Sequence, residues 1–538
     1  MNEQFDVIVV GSGTGMLAAL TAADAGLSVL VVEKSEYFGG STALSGGGFW
    51  IPTNGLLPQG SDSRERAEEY LRNVVAGETP DDRWLPFLEH GPAAVDVLRR
   101  MTPLRFMHMT DYADYFPETP GGSATGRAME PAPFNAKLLG EDRSRLRPPA
   151  MAAPFPMPVS GRTYRWLNLV ARKPKGAVTA AKLLGLGVGG MAIGREYIAG
   201  GGALAAGLFA GLRARNVPVW FDSALDELLV EDGRVVGVVV NGRPLRANRG
   251  VILSAGGFDR NADWRHSHQS EQLDTSWAFG NPANTGEVIA AAQAVGADLA
   301  FMNEAWWFPA VPIPGPMPGT LLAERSLPGQ IIVNQDGDRF MNEAVNYMTA
   351  GQHLIKQQLP VWMIFGQQFR DRYLFGAGLF PRQKFPQSWY DNGVVMQALT
   401  IDALAQRVGL PNLPATVQRF NLLAAAGRDD DFHRGDSAYD RYYGDPTIAP
   451  NPCLGPIGPK QPFYAVKVVP GDLGTCGGVR ADGYARALRP DGSVIEGLYA
   501  SGNCAGNAFG RVYPGPGATI GQGLTYGYIA ARHAAGRL

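Results

Sequence analysis

A glycine-rich turn set between two short β-branched runs opens the chain. The runs cover residues 7–10 and 29–32, and a helical stretch, residues 17–25, lies between them. The turn reads Gly11-Ser12-Gly13-Thr14-Gly15. A strand, a tight glycine turn and a helix make a βαβ unit, in which the helix N-terminus binds a pyrophosphate. The sequence therefore predicts a Rossmann-like α/β fold that binds a dinucleotide.

The residue directly after the second run indicates which part of a dinucleotide binds there. Glu33 follows Gly13 by 20 positions, and a carboxylate there can accept hydrogen bonds from both ribose hydroxyls. This acid favours an adenosine ribose over a 2′-phosphate but does not separate NAD from FAD. The third glycine stands at Gly15, while Met16 occupies its usual place, so we expect a slightly different turn that still binds.

The charge balance excludes other classes of function. The 538 residues include 48 Lys and Arg against 50 Asp and Glu, a net charge of −2, whereas a nucleic-acid-binding protein needs a basic face. Cys453, Cys476 and Cys504 show no C-x-x-C spacing and the seven histidines are scattered, so we expect neither a disulfide nor a metal site. No signal-peptide pattern precedes the first strand, which favours a cytoplasmic location.

Several later segments are also rich in glycine and small polar residues. They resemble the flavin-binding segments of the fumarate reductase and succinate dehydrogenase flavoprotein superfamily, and residues 250–258 resemble its internal strand. The resemblance implies FAD, which we expect to be noncovalent because residues 39–48 offer no histidine or cysteine. The expected FAD-binding residues are Gly11, Ser12, Gly13, Thr14, Gly15, Glu33, Lys34, Gly39, Gly40, Ser41, Thr42, Ser45, Gly46, Gly47, Gly48, Ala255, Gly256, Gly257, Gly502, Asn503 and Gly521.

The spread of these segments predicts one flavin domain with another domain inserted into it. We expect an FAD-binding domain over residues 1–304 and 471–538, which includes a β-hairpin at residues 225–240 and a closing helix at residues 524–534. Residues 305–470, with mixed helix and turn patterns, form an α+β catalytic domain that caps the substrate.

An apolar region at residues 182–212 leaves two interpretations open. Arg195 and Glu196 interrupt it, and neither part reaches the roughly 18 to 20 apolar residues of a membrane span. In the first interpretation it is a buried helical excursion. In the second, an excursion around residues 172–212, flanked by basic residues, faces the membrane and rests on the inner face of the cytoplasmic membrane.

The start of the inserted domain, residues 304–309, reads EAWWFP. An aromatic wall of this kind holds a dicarboxylate poorly and suits a large apolar substrate. Three further stretches surround Tyr115, Tyr347 and the Tyr513-Pro514-Gly515-Pro516-Gly517 loop. They resemble the 3-ketosteroid Δ1-dehydrogenases, and the resemblance extends over nearly the whole chain. This resemblance implies that Tyr115, Tyr347, Tyr513 and Gly517 are the catalytic residues.

The implied reaction explains these residue types. Removing hydrogen from C1 and C2 of a 3-ketosteroid requires that the C3 carbonyl be polarised, which the Tyr513 hydroxyl and the Gly517 N–H would do. Tyr347 would take the C2 proton with help from Tyr115, and the flavin would take the C1 hydride. Tyr112 is a near neighbour of Tyr115, but we expect Tyr115 to act because of its D-Y-aromatic context.

Other functions remain open from the sequence alone. They are a 3-ketosteroid Δ4-(5α)-dehydrogenase, a fumarate-reductase-like enzyme, and a flavin- or steroid-binding module without turnover. The electron acceptor, of quinone or dye-like type, the preferred steroid and the effect of Cys476 are likewise open.

Overall fold

The computed structural model describes residues 3–149, 155–376 and 378–538. In chain order its strands are β1 Glu3–Val10, β2 Val29–Val32, β3 Phe49–Trp50, β4 Phe106–His108, β5 Ala128–Pro131, β6 Phe134–Asn135, β7 Tyr197–Ile198, β8 Val219–Trp220, β9 Leu225–Glu231, β10 Arg234–Val240, β11 Arg243–Leu253, β12 Leu299–Ala300, β13 Ala305–Val311, β14 Gly319–Thr320, β15 Gln330–Val333, β16 Val361–Gly366, β17 Val395–Ala398, β18 Phe463–Thr475, β19 Gly478–Val479, β20 Arg486–Leu488 and β21 Val494–Ala500. Its α-helices are α1 Gly15–Asp24, α2 Gly40–Leu44, α3 Arg64–Val75, α4 Asp81–Met101, α5 Gly161–Leu167, α6 Pro174–Ala192, α7 Gly200–Arg213, α8 Ala262–His268, α9 Glu287–Ala294, α10 Tyr347–Leu354, α11 Gln367–Arg372, α12 Gln387–Asp391, α13 Ile401–Val408, α14 Leu413–Ala426, α15 Ala438–Tyr442 and α16 Ala518–Ala534, and 3-10 helices cover Ala136–Arg145, Thr275–Trp277 and Gly502–Cys504.

The larger sheet has eight strands in the order β20-β21-β11-β1-β2-β8, with β10 and then β9 attached to β11. Its centre is parallel, since Val7 pairs with both Val29 and Gly250, and Val251 pairs with Leu498. The predicted βαβ unit and hairpin are therefore confirmed, with β9 and β10 antiparallel. The parallel strands end at one edge of the sheet, which brings the distant glycine-rich loops together.

The second sheet has six strands in the order β14-β13-β18-β16-β15, with β17 also on β18, and is antiparallel. The sequence predicted an α+β domain with mixed helix and turn patterns here but located none of its strands. They were not located because a strand such as β16 is buried along its whole length and shows no polar alternation. Since β18 runs without a break past residue 470, it crosses the expected domain boundary, and the boundaries themselves stay a prediction.

The apolar region at residues 182–212 divides into two helices with opposite environments. Helix α7 is buried against α1, α2 and α4, as the first interpretation predicted. A Cβ atom at Gly207 would lie 2.2 Å from Leu104, so this close packing requires glycine. Helix α6, by contrast, exposes apolar side chains, among them Val188 and Met191. Among the described residues, no helix is both long and apolar enough to cross a bilayer.

Candidate active site

A cavity of about 940 Å³ lies between the edge of the larger sheet and the inserted domain. Its lining includes all four predicted catalytic residues, Tyr115, Tyr347, Tyr513 and Gly517. It also includes most of the residues predicted to bind FAD: Gly11, Ser12, Gly13, Thr14, Glu33, Lys34, Gly40, Ser41, Thr42, Ser45, Gly46, Gly47, Gly48, Ala255, Gly256, Gly257, Gly502 and Asn503. One continuous space therefore joins the glycine-rich loops to the tyrosines.

Three of the predicted cofactor residues lie behind this lining. A Cβ atom at Gly15 would lie 2.9 Å from the Ser254 Cβ, and one at Gly521 would lie 2.3 Å from the Trp50 carbonyl oxygen. A Cβ at Gly39 would meet Ala43 at 2.8 Å. These glycines allow close packing of helices against the sheet and its loops. The sequence pattern did not distinguish packing glycines from those that face the cavity.

The glycine-rich half of the cavity has the features that FAD requires. Gly11 has a φ of +105°, and a Cβ there would lie 2.4 Å from the Ser254 carbonyl oxygen, so the turn approaches β11 as only glycine allows. Helix α1 begins beside this turn with no acidic residue in its first turn, which leaves its N-terminal N–H groups for an anion. The Ser254 hydroxyl is buried without a partner among the described residues, as expected where a ligand supplies one. The residues present fit FAD.

The Glu33 carboxylate is fixed by the turn itself. One oxygen accepts hydrogen bonds from the Ser12 hydroxyl at 2.6 Å and the Ser12 N–H at 3.2 Å, and the other accepts from the Ser35 N–H at 3.0 Å. The acid predicted from its spacing thus lies at the cavity and also ties the first turn to the end of β2.

The three tyrosines predicted to be catalytic form a closed triangle of rings. Ring centroids are 5.1 Å apart for Tyr115 and Tyr347, 5.0 Å for Tyr115 and Tyr513, and 5.3 Å for Tyr347 and Tyr513. Tyr347 begins α10 in the inserted domain, whereas Tyr513 precedes α16 in the flavin domain. Residues separated by as many as 398 positions therefore meet only in the folded chain.

The Tyr513 hydroxyl and the Gly517 N–H belong to one short loop. Gly517 is the N-cap of α16 with a φ of +90°, and a Cβ there would lie 2.2 Å from the Gly48 carbonyl oxygen. The Tyr513 hydroxyl forms a 2.9 Å hydrogen bond with the Thr519 hydroxyl, a residue that the sequence analysis missed. Because α16 begins here, its N-terminal dipole adds positive potential at the same place.

A buried acid positions Tyr115. Asp114 accepts a 2.8 Å hydrogen bond from the Trp50 Nε1–H and forms an ion pair with Arg127, and burial raises its pKa to about 6. The Tyr115 N–H donates to the Pro514 carbonyl at 3.1 Å, which ties the Tyr115 loop to the Tyr513 loop. The sequence pattern predicted no role for Asp114.

Burial dominates the acidity of the three phenols. It raises the pKa of Tyr347 well above the ordinary value of about 10, and the potential negative charge of Tyr513 adds to the rise. Burial likewise raises the pKa of Tyr115, whose hydroxyl has no partner among the described residues. Burial also raises the pKa of Tyr513, but the hydroxyl of Thr519 and the N–H of Gly517 oppose this rise, so hydrogen-bond donors surround the Tyr513 phenol oxygen.

The predicted aromatic wall is only partly on the cavity surface. Phe308 lines the cavity and its ring lies 5.0 Å from that of Tyr347. Trp306 lies behind it, where its ring supports Tyr513 at 4.8 Å, and Trp307 donates to the buried Glu304 carboxylate. Tyr112 also lines the cavity, as Tyr115 does. Residue type alone therefore does not decide which of these two tyrosines acts on the substrate.

Cys476 is buried, and its N–H donates to the Glu304 carbonyl at 3.1 Å. Burial raises the pKa of its thiol, so this side chain is a packing group rather than a reactive thiolate. Among the described residues no cluster of three potential metal ligands occurs.

Comparisons with known proteins agree with this geometry. The family model of the FAD binding domain matches residues 6–520. The 3-oxosteroid 1-dehydrogenase of Mycolicibacterium smegmatis is 47% identical, with 98% of this chain and 97% of the relative covered. That of Mycobacterium tuberculosis is 46% identical, with 99% and 98% covered.

Among solved structures, 3-ketosteroid Δ1-dehydrogenase from Sterolibacterium denitrificans, in complex with 1,4-androstadiene-3,17-dione, is 38% identical. It matches with a TM-score of 0.94 over 100% of both chains. The predicted fold class and FAD as cofactor are thereby confirmed. The chain belongs to the 3-oxosteroid 1-dehydrogenase family of FAD-binding flavoproteins.

Proposed function

We propose that this enzyme oxidises the C1–C2 bond of a 3-ketosteroid, converting a 4-en-3-one into a 1,4-dien-3-one, in steroid degradation. The observation that carries the proposal is the ring triangle of Tyr115, Tyr347 and Tyr513, which faces the same cavity as the Gly517 N–H. Bound FAD, held noncovalently by the glycine-rich loops, would supply the acceptor for the C1 hydride.

Tyr513 and Gly517 polarise the substrate carbonyl. A phenol hydroxyl and a backbone N–H at the start of α16 both donate to the C3 oxygen, where negative charge develops as the C2 proton leaves. The Thr519 hydroxyl fixes the Tyr513 hydroxyl from behind, at 2.9 Å. The donors are in place before the reaction, so they stabilise the enolate more than the ketone.

Tyr347 removes the C2 proton, and Tyr115 supports it. A phenol of ordinary pKa is a weak base at neutral pH, and burial raises the pKa further, so the phenolate needs a nearby donor. The Tyr115 hydroxyl, which has no other partner among the described residues, is free to donate to it. The Phe308 ring packs beside Tyr347, with ring centroids 5.0 Å apart.

The test is reduction of the flavin by steroid without oxygen. Adding 4-androstene-3,17-dione to the oxidised holoenzyme should bleach the yellow flavin and yield the 1,4-diene-3-one. This substrate already has the C4–C5 double bond, so binding without bleaching would exclude Δ1 chemistry. In that case bleaching by 5α-androstane-3,17-dione with formation of a 4-en-3-one would indicate Δ4-(5α) chemistry, and no bleaching by either steroid would indicate a module without turnover. Reduced flavin that fumarate reoxidises would indicate a fumarate-reductase-like enzyme.

We further propose that α6 rests on the inner face of the cytoplasmic membrane, from which an apolar steroid would arrive and where a quinone-like acceptor would reoxidise the flavin. Val188, Met191 and Ile193 are 52%, 63% and 66% exposed, and basic residues precede the helix.

The matched test replaces Val188 and Met191 by glutamate. Binding to anionic vesicles should fall while flavin reduction by dissolved steroid is unchanged; equal vesicle binding would contradict the proposal. Deletion of residues 172–212 is unsuitable because α7 is buried.

A further inference from the structure

A buried indole connects Tyr513 to the glycine-rich half of the cavity. Trp306 belongs to β13 and is fully buried. Its ring packs edge-on against that of Tyr513, with centroids 4.8 Å apart and planes at 74°. Its Nε1–H donates to the side-chain oxygen of Asn503 at 3.0 Å. One side chain therefore contacts both the phenol proposed to polarise the substrate carbonyl and a residue that lines the cavity.

Asn503 lies beside the turn that opens the chain. It is the middle residue of the 3-10 helix Gly502–Cys504, shortly after the end of β21. A Cβ atom at Gly502 would lie 3.3 Å from the Thr14 hydroxyl and 3.8 Å from the Ser254 hydroxyl. Asn503 is half-buried and lines the cavity. It therefore lies where the glycine-rich loops and the tyrosines meet.

The bond from Trp306 fixes which way the Asn503 amide faces. An indole N–H can only donate, so the atom that it meets must be the amide oxygen. This bond is the one that the Asn503 side chain forms within residues 3–149, 155–376 and 378–538. A Cβ atom at Gly474, whose φ is +123°, would lie 2.5 Å from the amide nitrogen, so glycine makes room for it. The N–H bonds of the amide are thus available to a ligand in the cavity.

Two other buried indoles use their N–H groups differently. The Trp50 N–H donates to the Asp114 carboxylate at 2.8 Å, and the Trp307 N–H donates to the Glu304 carboxylate. Both acids are buried and neither lines the cavity. Trp307 is also the next residue of the strand that carries Trp306, which makes it a matched control.

A donor at the position of the Asn503 amide can act on the flavin. The acceptor for the C1 hydride has to lie beside the substrate, between the tyrosines and the glycine-rich loops. Hydrogen bonds to the flavin ring tune its electronic properties. A donor favours the form that carries more negative charge, which is the reduced flavin. An amide N–H held in this place therefore favours transfer of the hydride to the flavin.

We propose that Trp306 is a positioning residue for hydride transfer: it directs the Asn503 amide N–H toward the flavin ring of bound FAD while its indole packs against Tyr513. This inference rests on the function proposed above. Trp306 does not line the cavity and acts through its two neighbours. Neither Trp306 nor Asn503 gains or loses a proton or an electron in this role.

The first experiment measures the midpoint potential of the flavin in the holoenzyme, by anaerobic reductive titration without steroid. Asn503→Ala removes the donor and should lower the equilibrium constant for two-electron reduction about tenfold, a potential about 30 mV more negative. Trp306→Phe keeps an aromatic ring beside Tyr513 but loses the N–H, and should lower the constant about threefold or more, about 15 mV. Trp307→Phe should leave the potential unchanged.

A double variant tests whether Trp306 acts through Asn503. Adding Trp306→Phe to Asn503→Ala should leave the potential where Asn503→Ala alone places it, because the group that the indole directs is already absent. Two fully additive shifts would contradict this route. If Trp306→Phe does not retain FAD, Gly474→Ala tests the same amide, since the added Cβ displaces its nitrogen and should also make the potential more negative.

The second experiment follows anaerobic bleaching by 4-androstene-3,17-dione as a function of steroid concentration. In Trp306→Phe the limiting rate should fall together with the potential. The affinity for steroid should equal that of the parent, because the Tyr513 hydroxyl keeps its bond to Thr519. A lower affinity at the parent potential would indicate that Trp306 only supports Tyr513, and would overturn the proposal.

A parent-like potential in Asn503→Ala or in Trp306→Phe would also overturn it, as would an equal shift in Trp307→Phe. When Trp306→Phe cannot be prepared, a parent-like potential in Gly474→Ala overturns it instead. A parent holoenzyme that steroid fails to bleach would refute the proposed function. In that case the potentials still decide whether Trp306 and Asn503 act on the flavin.

Discussion

The substitution Gly517→Ala tests whether the start of α16 presents a catalytic N–H. Two penalties are expected. Alanine at a φ of +90° costs about 1–2 kcal/mol of backbone strain. In addition, its Cβ would lie 2.2 Å from the Gly48 carbonyl oxygen, and real Cβ contacts are not shorter than 3.0 Å, so the two backbone segments must separate by about 0.8 Å.

That displacement determines the expected kinetic effect. Because the contact is with backbone, no side-chain rotation relieves it, and the Gly517 N–H must move. Loss of one donor to a developing oxyanion lowers the rate about 100- to 1000-fold, equivalent to about 2.7–4 kcal/mol. Anaerobic, single-turnover bleaching of the flavin by 4-androstene-3,17-dione measures this rate.

Gly26→Ala is the matched control. Gly26 has a φ of +86°, but nothing lies within 4 Å of its Cβ position. This variant should pay the same backbone strain, seen as a lower melting temperature, while bleaching at the parent rate. A Gly517→Ala protein that is folded, retains FAD and bleaches as fast as the parent would refute the role of this N–H.

Three further predictions concern Tyr347 and Tyr513, the Glu33 carboxylate and the buried Glu324. Tyr347→Phe and Tyr513→Phe should each lower the bleaching rate at least about 100-fold, as expected for a lost base or oxyanion donor. Tyr499→Phe is the control and should leave the rate unchanged, because the Tyr499 hydroxyl bonds with His533. A near-parent rate in Tyr347→Phe or Tyr513→Phe would remove the substituted tyrosine from the mechanism. Glu33→Gln replaces an acceptor of four N–H or O–H donors and should release FAD on dilution, measured as flavin in a filtrate; full retention would contradict its role. Burial raises the pKa of Glu324 to about 7, above its unfolded value, so its stabilisation is complete below about pH 4.5 and is lost as the pH rises through 7. Glu324→Gln should therefore gain in melting temperature over the parent from about pH 5 to pH 8, and parallel curves would contradict this.

Local pattern was sufficient for the first part of the fold. The turn at Gly11, the acid at Glu33 and the hairpin at residues 225–240 are each defined by a few neighbouring residues, and the structure has them where the sequence predicted. The antiparallel sheet of the inserted domain was not predictable in this way, because strands buried on both faces show neither helical nor alternating periodicity.

The residues proposed to be catalytic could be named from the sequence only through family resemblance. The D-Y-aromatic context is the one local signal that favoured Tyr115 over Tyr112, and both tyrosines line the cavity. Likewise Gly15, Gly39 and Gly521 look like Gly11 in sequence, yet of these four glycines Gly11 alone lines the cavity.

The sequence by itself determined the nucleotide-binding turn, the acid that follows it and the low charge suited to an apolar substrate, because each depends on short-range spacing or on composition. The tertiary structure alone decided that Tyr115, Tyr347 and Tyr513 share one cavity and that α7 is buried while α6 is exposed. These are contacts between residues far apart in the chain, and they exist only because the two sheets pack around a common cavity.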